Sequence, residues 1–122
     1  MPEETYTSGD PLLAFDEGLR VVSWNAALER LTGVPAAEVL GRPCWQLGGR
    51  GLDGGPICRE ACAVARLARA GAPPPTITIS LPGAGGRVLV TMSTIRADRG
   101  SGPRFVHVLS PLAVTGHDVV EG

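Results

Sequence analysis

The stretch VVSWNAALERLTGVPAAEVLGRP, Val21 to Pro43, decides how this chain is read. Its first part, within RVVSWN (20–25), alternates apolar and polar residues and predicts a short strand. Asn25 then offers a side-chain oxygen to the free amides of a helix start, so AALERLTG follows as a helix. Ala27, Leu28 and Leu31 give that helix one apolar face, and Gly33 closes it in the left-handed conformation that favours glycine. Pro35 suits the first position of a second short helix, PAAEVL, which Gly41 ends. Leu28, Leu31, Val39 and Leu40 are the side chains expected to face a core.

Upstream, PLLAFD (11–16) reads as a strand and EGLR as a turn, so the two strands form a tight hairpin. Residues 1–9 read as a flexible leader. Downstream, GGRGLDGG (48–55) reads as a flexible loop. Pro56 opens a longer helix, PICREACAVARLARA, which Gly71 ends. Three strands follow, at 76–81, 87–98 and 103–112, joined by the turns PGAGG and RGSG; short turns make them an antiparallel meander. The segment GAGG (83–86) precedes no helix and is not a phosphate loop. The opening strands bury their apolar faces only by joining the meander. The expected fold class is therefore α+β: a five-stranded antiparallel sheet with short helices and one longer helix on one face. Residues 113–122 read as a C-terminal tail or linker.

The totals narrow the function. A chain of 122 residues suits one domain, and 43% hydrophobic with 19% charged residues is a globular balance. The formal net charge of −1 lacks the basic excess of a nucleic-acid binder, so direct binding to nucleic acid is not expected. No apolar run reaches the roughly 20 residues that span a bilayer. The acidic start, MPEETYTSGD, has no signal-peptide pattern, which points to the cytoplasm and away from membranes. Three cysteines make an odd number, which suits free thiols, metal ligands or redox groups better than a disulfide framework.

Over about residues 10–112 the chain resembles a PAS domain. The Val21–Pro43 stretch is similar to that family's Asn-Ala-Ala…Leu-Thr-Gly…Glu-Val-Leu-Gly pattern, with Asn25, Gly33 and Gly41 in structural roles. The resemblance implies a non-catalytic sensory and protein-interaction module of signal transduction or transcription regulation. It also implies an output domain or partner protein on another segment or chain, and the chain is expected to form a homodimer through its N-terminal leader or exposed sheet face. PAS domains often finish in Asp-x-Thr and an output helix; here SPLAVTG stands in that place, and Pro111 disfavours helix at Ser110. In the family the short helices and the longer helix wall a pocket against the sheet, a place for a small-molecule ligand.

All three cysteines, Cys44, Cys58 and Cys62, fall on that wall, and several readings are open. The simplest is core packing, since free cysteine is among the most buried residue types; Trp24 and Trp45 read the same way, with Trp45 a ligand candidate beside Cys44. The second is a redox switch. Cys58 lies in the first turn after Pro56, where the helix dipole favours a thiolate, and Arg66 lies four residues beyond Cys62. On a helical wheel Ile57, Ala61, Val64 and Ala68 form the buried stripe, with Cys58 and Cys62 at its edge. Cys58 and Cys62 are too far apart on an intact helix to bond, which leaves Cys44 as the better partner of Cys58. The third is a metal or iron–sulfur site on Cys44, Cys58 and Cys62, with His107, Asp53 or an external group as fourth ligand. The spacing lacks the C-x2-C of common zinc sites. The fourth is a flavin photosensor. Against the family's Asn-Cys-Arg-Phe-Leu-Gln motif only Cys44 of PCWQLG matches, without the Asn, Arg and Gln that hold flavin. Haem lacks its histidine on the long helix. No cofactor is therefore expected. His107 alternates with Phe105 and Leu109 and reads as a sheet-face residue, while Glu29, Arg30 and Glu38 read as a solvated face. A thiol enzyme on Cys44 or Cys58 would need His107 as base, and no spacing suggests such a pair.

Overall fold

The computed structural model describes residues 6, 8–44, 48–52, 54–55, 63–72, 74–83 and 85–112. Strands β1 (Leu12–Phe15) and β2 (Val21–Trp24) precede helix α1 (Ala26–Thr32) and a 3-10 turn at Ala36–Glu38. Helix α2 (Ala63–Arg69) and strands β3 (Ile77–Gly83), β4 (Gly86–Arg99) and β5 (Gly102–Pro111) follow. The strands form one antiparallel sheet in the order β2-β1-β5-β4-β3, so the opening hairpin joins the meander through β1 and β5. This is the five-stranded α+β sheet expected from the sequence, and β5 runs through Pro111 as strand.

Period-two alternation sorts the side chains. Leu13, Phe15, Val90, Met92, Phe105, Leu109, Ile79 and Leu81 point to one face and form the main core with Leu28, Val39 and Ala68. Phe15 and Phe105 face each other across the β1–β5 pair with ring centroids 5.5 Å apart. Each such fully buried side chain contributes about 1.5–3 kcal/mol. The other face carries a smaller cluster of Leu12, Ala14 and Val106, with Tyr6 packed against it and the Arg99 guanidinium 4.1 Å from the Tyr6 ring centroid.

Asn25 joins the hairpin to α1. Its Oδ1 accepts from the Leu28 amide at 3.0 Å, capping the helix, and from the Leu12 amide at 3.0 Å. Its Nδ2 donates to the Asp10 carbonyl at 2.8 Å. At the other end of the helix Gly33, at φ 75°, sends its amide back to the Glu29 carbonyl at 2.8 Å. Leu19 also sits in the left-handed region, at φ 63°, a conformation costly for a branched side chain. The reward is local: its side chain is buried in the main core and its carbonyl accepts from the Cys44 amide at 2.7 Å.

Three expectations change. The helix expected over 35–40 is one 3-10 turn, with Pro35 extended before it. The chain must leave the helix there because the Gly41 amide and the Arg42 carbonyl are bonded to Val21, along the outer edge of β2. Glu29 is not merely solvated: its Oε2 accepts from the Ala36 amide at 2.7 Å, supplying the cap that Pro35 has no side-chain oxygen to provide. The loop after Gly48 is tied down. Arg50 exchanges two backbone hydrogen bonds with Ser80, and Arg87 donates to the Gly48 carbonyl and to Ser80. Both outer strands of the sheet are thus met by one connection, that between α1 and α2. Gly71, at φ 80°, ends α2. Among the described residues no helix is long and apolar enough to cross a membrane.

Candidate functional site

A cavity of about 270 Å³ opens between the sheet and the segment that leaves α1. Leu13 and Trp24 come from the opening hairpin, Thr32 from the end of α1, Leu81 and Pro82 from the far strand β3, and Val34, Glu38, Val39 and Arg42 from the connection. Among the described residues no lining side chain comes from α2, β4 or β5. The cavity thus lies to the α1 side of the sheet centre, away from the described part of the longer helix.

Its polar wall groups are already used. The Trp24 indole Nε1 donates to the Val34 carbonyl at 2.9 Å, which holds the ring as a flat side of the cavity. The Thr32 hydroxyl donates to the Leu28 carbonyl at 2.8 Å and accepts from the Val34 amide at 3.2 Å. Val39, Leu13 and Leu81 are buried, so the interior is apolar. Charge is confined to Glu38 and Arg42, both exposed, with Arg42 Nη1 donating to the Glu38 carbonyl at 3.4 Å. The Arg20 guanidinium donates to the Gly41 carbonyl at 3.0 Å and so sits on the same strap, residues 41–44, that runs along β2.

Cys44 ends that strap. It is half-buried and packed against the main core. Cys58, Cys62, Trp45 and Asp53 lie outside the described residues, as do Ile57 and Ala61 and the expected start of the long helix at Pro56. Ala68 is buried, as the wheel has it, and Arg66 and Arg69 are exposed. Among the described residues no group of three His, Cys, Asp or Glu is arranged to hold a metal ion.

His107 lies on the inner sheet face, opposite Leu13 on β1 and Thr94 on β4. Its Nδ1 is 2.9 Å from the Thr94 hydroxyl and its ring is 4.9 Å from that of Phe15. Loss of water around the ring disfavours the charged form and lowers its pKa from 6.5 to about 4, so the imidazole is neutral at pH 7. The resemblance implied a pocket against the sheet, but the sequence named neither its lining residues nor the Glu29 cap. The signal for the first was available in Val34 and Val39, small apolar residues placed around a tryptophan that needs a partner for its N–H.

A family model described as the PAS fold matches residues 7–111. No curated protein matches the chain. Among solved structures, the PAS domain of the Cronobacter turicensis quorum-sensing receptor RpfR in complex with BDSF is similar at TM-score 0.64 and 12% identity, covering 90% of this chain and all of that one (100%). A fungal LOV domain photoreceptor is similar at TM-score 0.61 and 20% identity, over 92% of this chain and 84% of that one. The E. coli DhaR(N)–DhaL complex contains a similar chain at TM-score 0.57 and 14% identity; 87% of this chain is covered, but it spans only 33% of that chain's length.

Proposed function

The chain belongs to the PAS-fold family, and from that premise we propose a non-catalytic sensory module that reads a small, mainly apolar ligand in the cavity beside Trp24. Occupancy is passed to an output domain or a partner protein. The observation that carries this reading is the cavity itself, apolar within and charged only at its rim. The solved RpfR PAS domain, in complex with BDSF or with C12:0, supports it by analogy of fold. The strap is the route outward: Val39 and Arg42 touch the cavity, while Gly41, Arg42 and Cys44 hold the β2 edge and the Leu19 turn.

The same reading includes a cytoplasmic homodimer serving transcription or other signal output. Leu89 and Ile95, 40% and 55% exposed on the outer sheet face, are the surface offered for self-association. A thiol switch is the second reading, favoured by the placing of half-buried Cys44 at the end of the strap.

The test is ligand-induced stabilisation. A ligand at a hundred times its Kd stabilises the folded state by about 2.7 kcal/mol. For a domain of this size that raises Tm by roughly 10 °C. Small apolar compounds are expected to raise the Tm of the natural chain and not that of Val39→Phe or Val34→Phe, which fill the cavity. Equal shifts in all three proteins would place binding elsewhere.

A further inference from the structure

We propose that the chain's own N-terminal leader, anchored by Tyr6, docks on the outer sheet face over β1 and β5 as a removable cover, and that this cover limits self-association. The inference rests on the self-association reading above and supplies its control.

Coverage is uneven across that face. Leu12 and Ala14 on β1 and Val106 on β5 are 4%, 0% and 5% exposed, although they point away from the main core. Ile95, directly opposite Val106 on β4, is 55% exposed. An edge of coverage therefore runs between β5 and β4. Tyr6 packs on the covered side, against the Leu12, Ala14 and Val106 cluster. Side chains stand out from a sheet, so complete burial of one as short as Ala14 needs a group stacked above the face.

The path of the leader fits a cover. The Pro11 carbonyl accepts from the Leu109 amide at 2.9 Å, which ties the chain to β5 just before β1 begins. A bend at Gly9 and Asp10, with the Ser8 hydroxyl accepting from the Asp10 amide at 3.1 Å, turns the preceding residues over the outer face. Tyr6 there meets the Arg99 guanidinium, 4.1 Å from its ring centroid, at the end of β4 where Arg99 pairs with Gly102. The leader carries Glu3 and Glu4 ahead of Tyr6, and that end of the sheet carries Arg99 and Arg104, so charge favours the same seat. The hold is weak enough to release. A ring against an exposed cation is a small attraction, and Tyr6 lies outside every strand, so the sheet closes without it. Lifting the ring joins Leu12, Ala14 and Val106 to Ile95 in one apolar patch, the kind of surface that a second copy buries.

Sedimentation of the full chain measures the control, and isotope-filtered NMR measures the cover. In a mixture of labelled and unlabelled chains kept below the dimer Kd, contacts between the Tyr6 ring and the methyl groups of Leu12 and Val106 are expected within one chain. Tyr6→Ala is expected to tighten self-association by about tenfold or more. Tyr6→Phe, which keeps the ring, is expected to match the natural chain, and Ile95→Lys added to Tyr6→Ala is expected to abolish the gain. Weaker self-association in Tyr6→Ala, or ring contacts found only between chains, makes the leader part of a second copy's interface and overturns the proposal. Unchanged self-association in Tyr6→Ala overturns it too, and leaves the dimer reading standing. If the natural chain and Tyr6→Ala both stay monomeric at every concentration, the dimer reading falls and the control falls with it.

Discussion

Acid should weaken this fold through His107 in a defined window. The imidazole sits against Phe15 and Thr94 with its pKa lowered to about 4, whereas in the unfolded chain it returns to 6.5. Between those two values the unfolded state binds a proton that the folded state refuses. Stability is therefore complete above pH 6.5, declines as pH falls, and reaches its full loss near pH 4, where both states are protonated. At 1.36 kcal/mol per unit the loss comes to about 3 kcal/mol, a large part of the stability of a small domain. The perturbation is His107→Gln, which is neutral throughout and retains a group for the Thr94 hydroxyl. Urea unfolding of both proteins between pH 7.5 and 4.5 provides the assay. The variant is expected to be less stable at pH 7.5 by about 1–2 kcal/mol, since it packs less well on Phe15. The gap should close and then reverse as the pH falls. Parallel pH profiles, or a native-state NMR titration of His107 centred near 6.5, would refute the desolvation argument.

Asn25→Ala removes the helix cap and leaves the Leu12 amide without its acceptor, so a loss of about 2–3 kcal/mol is expected, more than a simple cap deletion; Asn25→Asp, which keeps the oxygen but not the bond to Asp10, should recover much of it, and chemical denaturation reads both. Native-state alkylation with mass mapping is expected to modify Cys58 fastest and Cys44, half-buried at the strap, slowly. Mild oxidation should then link Cys44 to Cys58, and a map that excludes Cys58 leaves the thiols as packing. Light scattering at high concentration is expected to show a dimer that Ile95→Lys, on the exposed face, returns to monomer.

The fold was legible because its signals are local. Asn25, Gly33 and Gly41 each answer one nearby geometric demand, a cap or a positive φ, and the strands of the meander differ from helix in period alone. The site was less legible because it is made between distant segments. Leu81 reaches the cavity only because the sheet brings β3 round to α1, and nothing near Leu81 in sequence says so. The shortening of the helix at Ala36–Glu38 has the same origin: local propensity favours more helix, but Gly41 and Arg42 are claimed by Val21 across the β2 edge. The Glu29 cap was hidden because a glutamate in the first turn of a short helix usually meets water, and its partner amide lies seven residues on.

A sheet ends in two strands whose outward N–H and C=O groups invite any extended chain in solution to add on. Here β2 is met at Val21 by Gly41 and Arg42, and β3 is met at Ser80 by Arg50. One connection guards both sides against aggregation, which concentrates the risk. An insertion or a proteolytic nick between Gly41 and Arg50 would uncover both borders together, and the damaged chain would polymerise edge to edge before its core had melted.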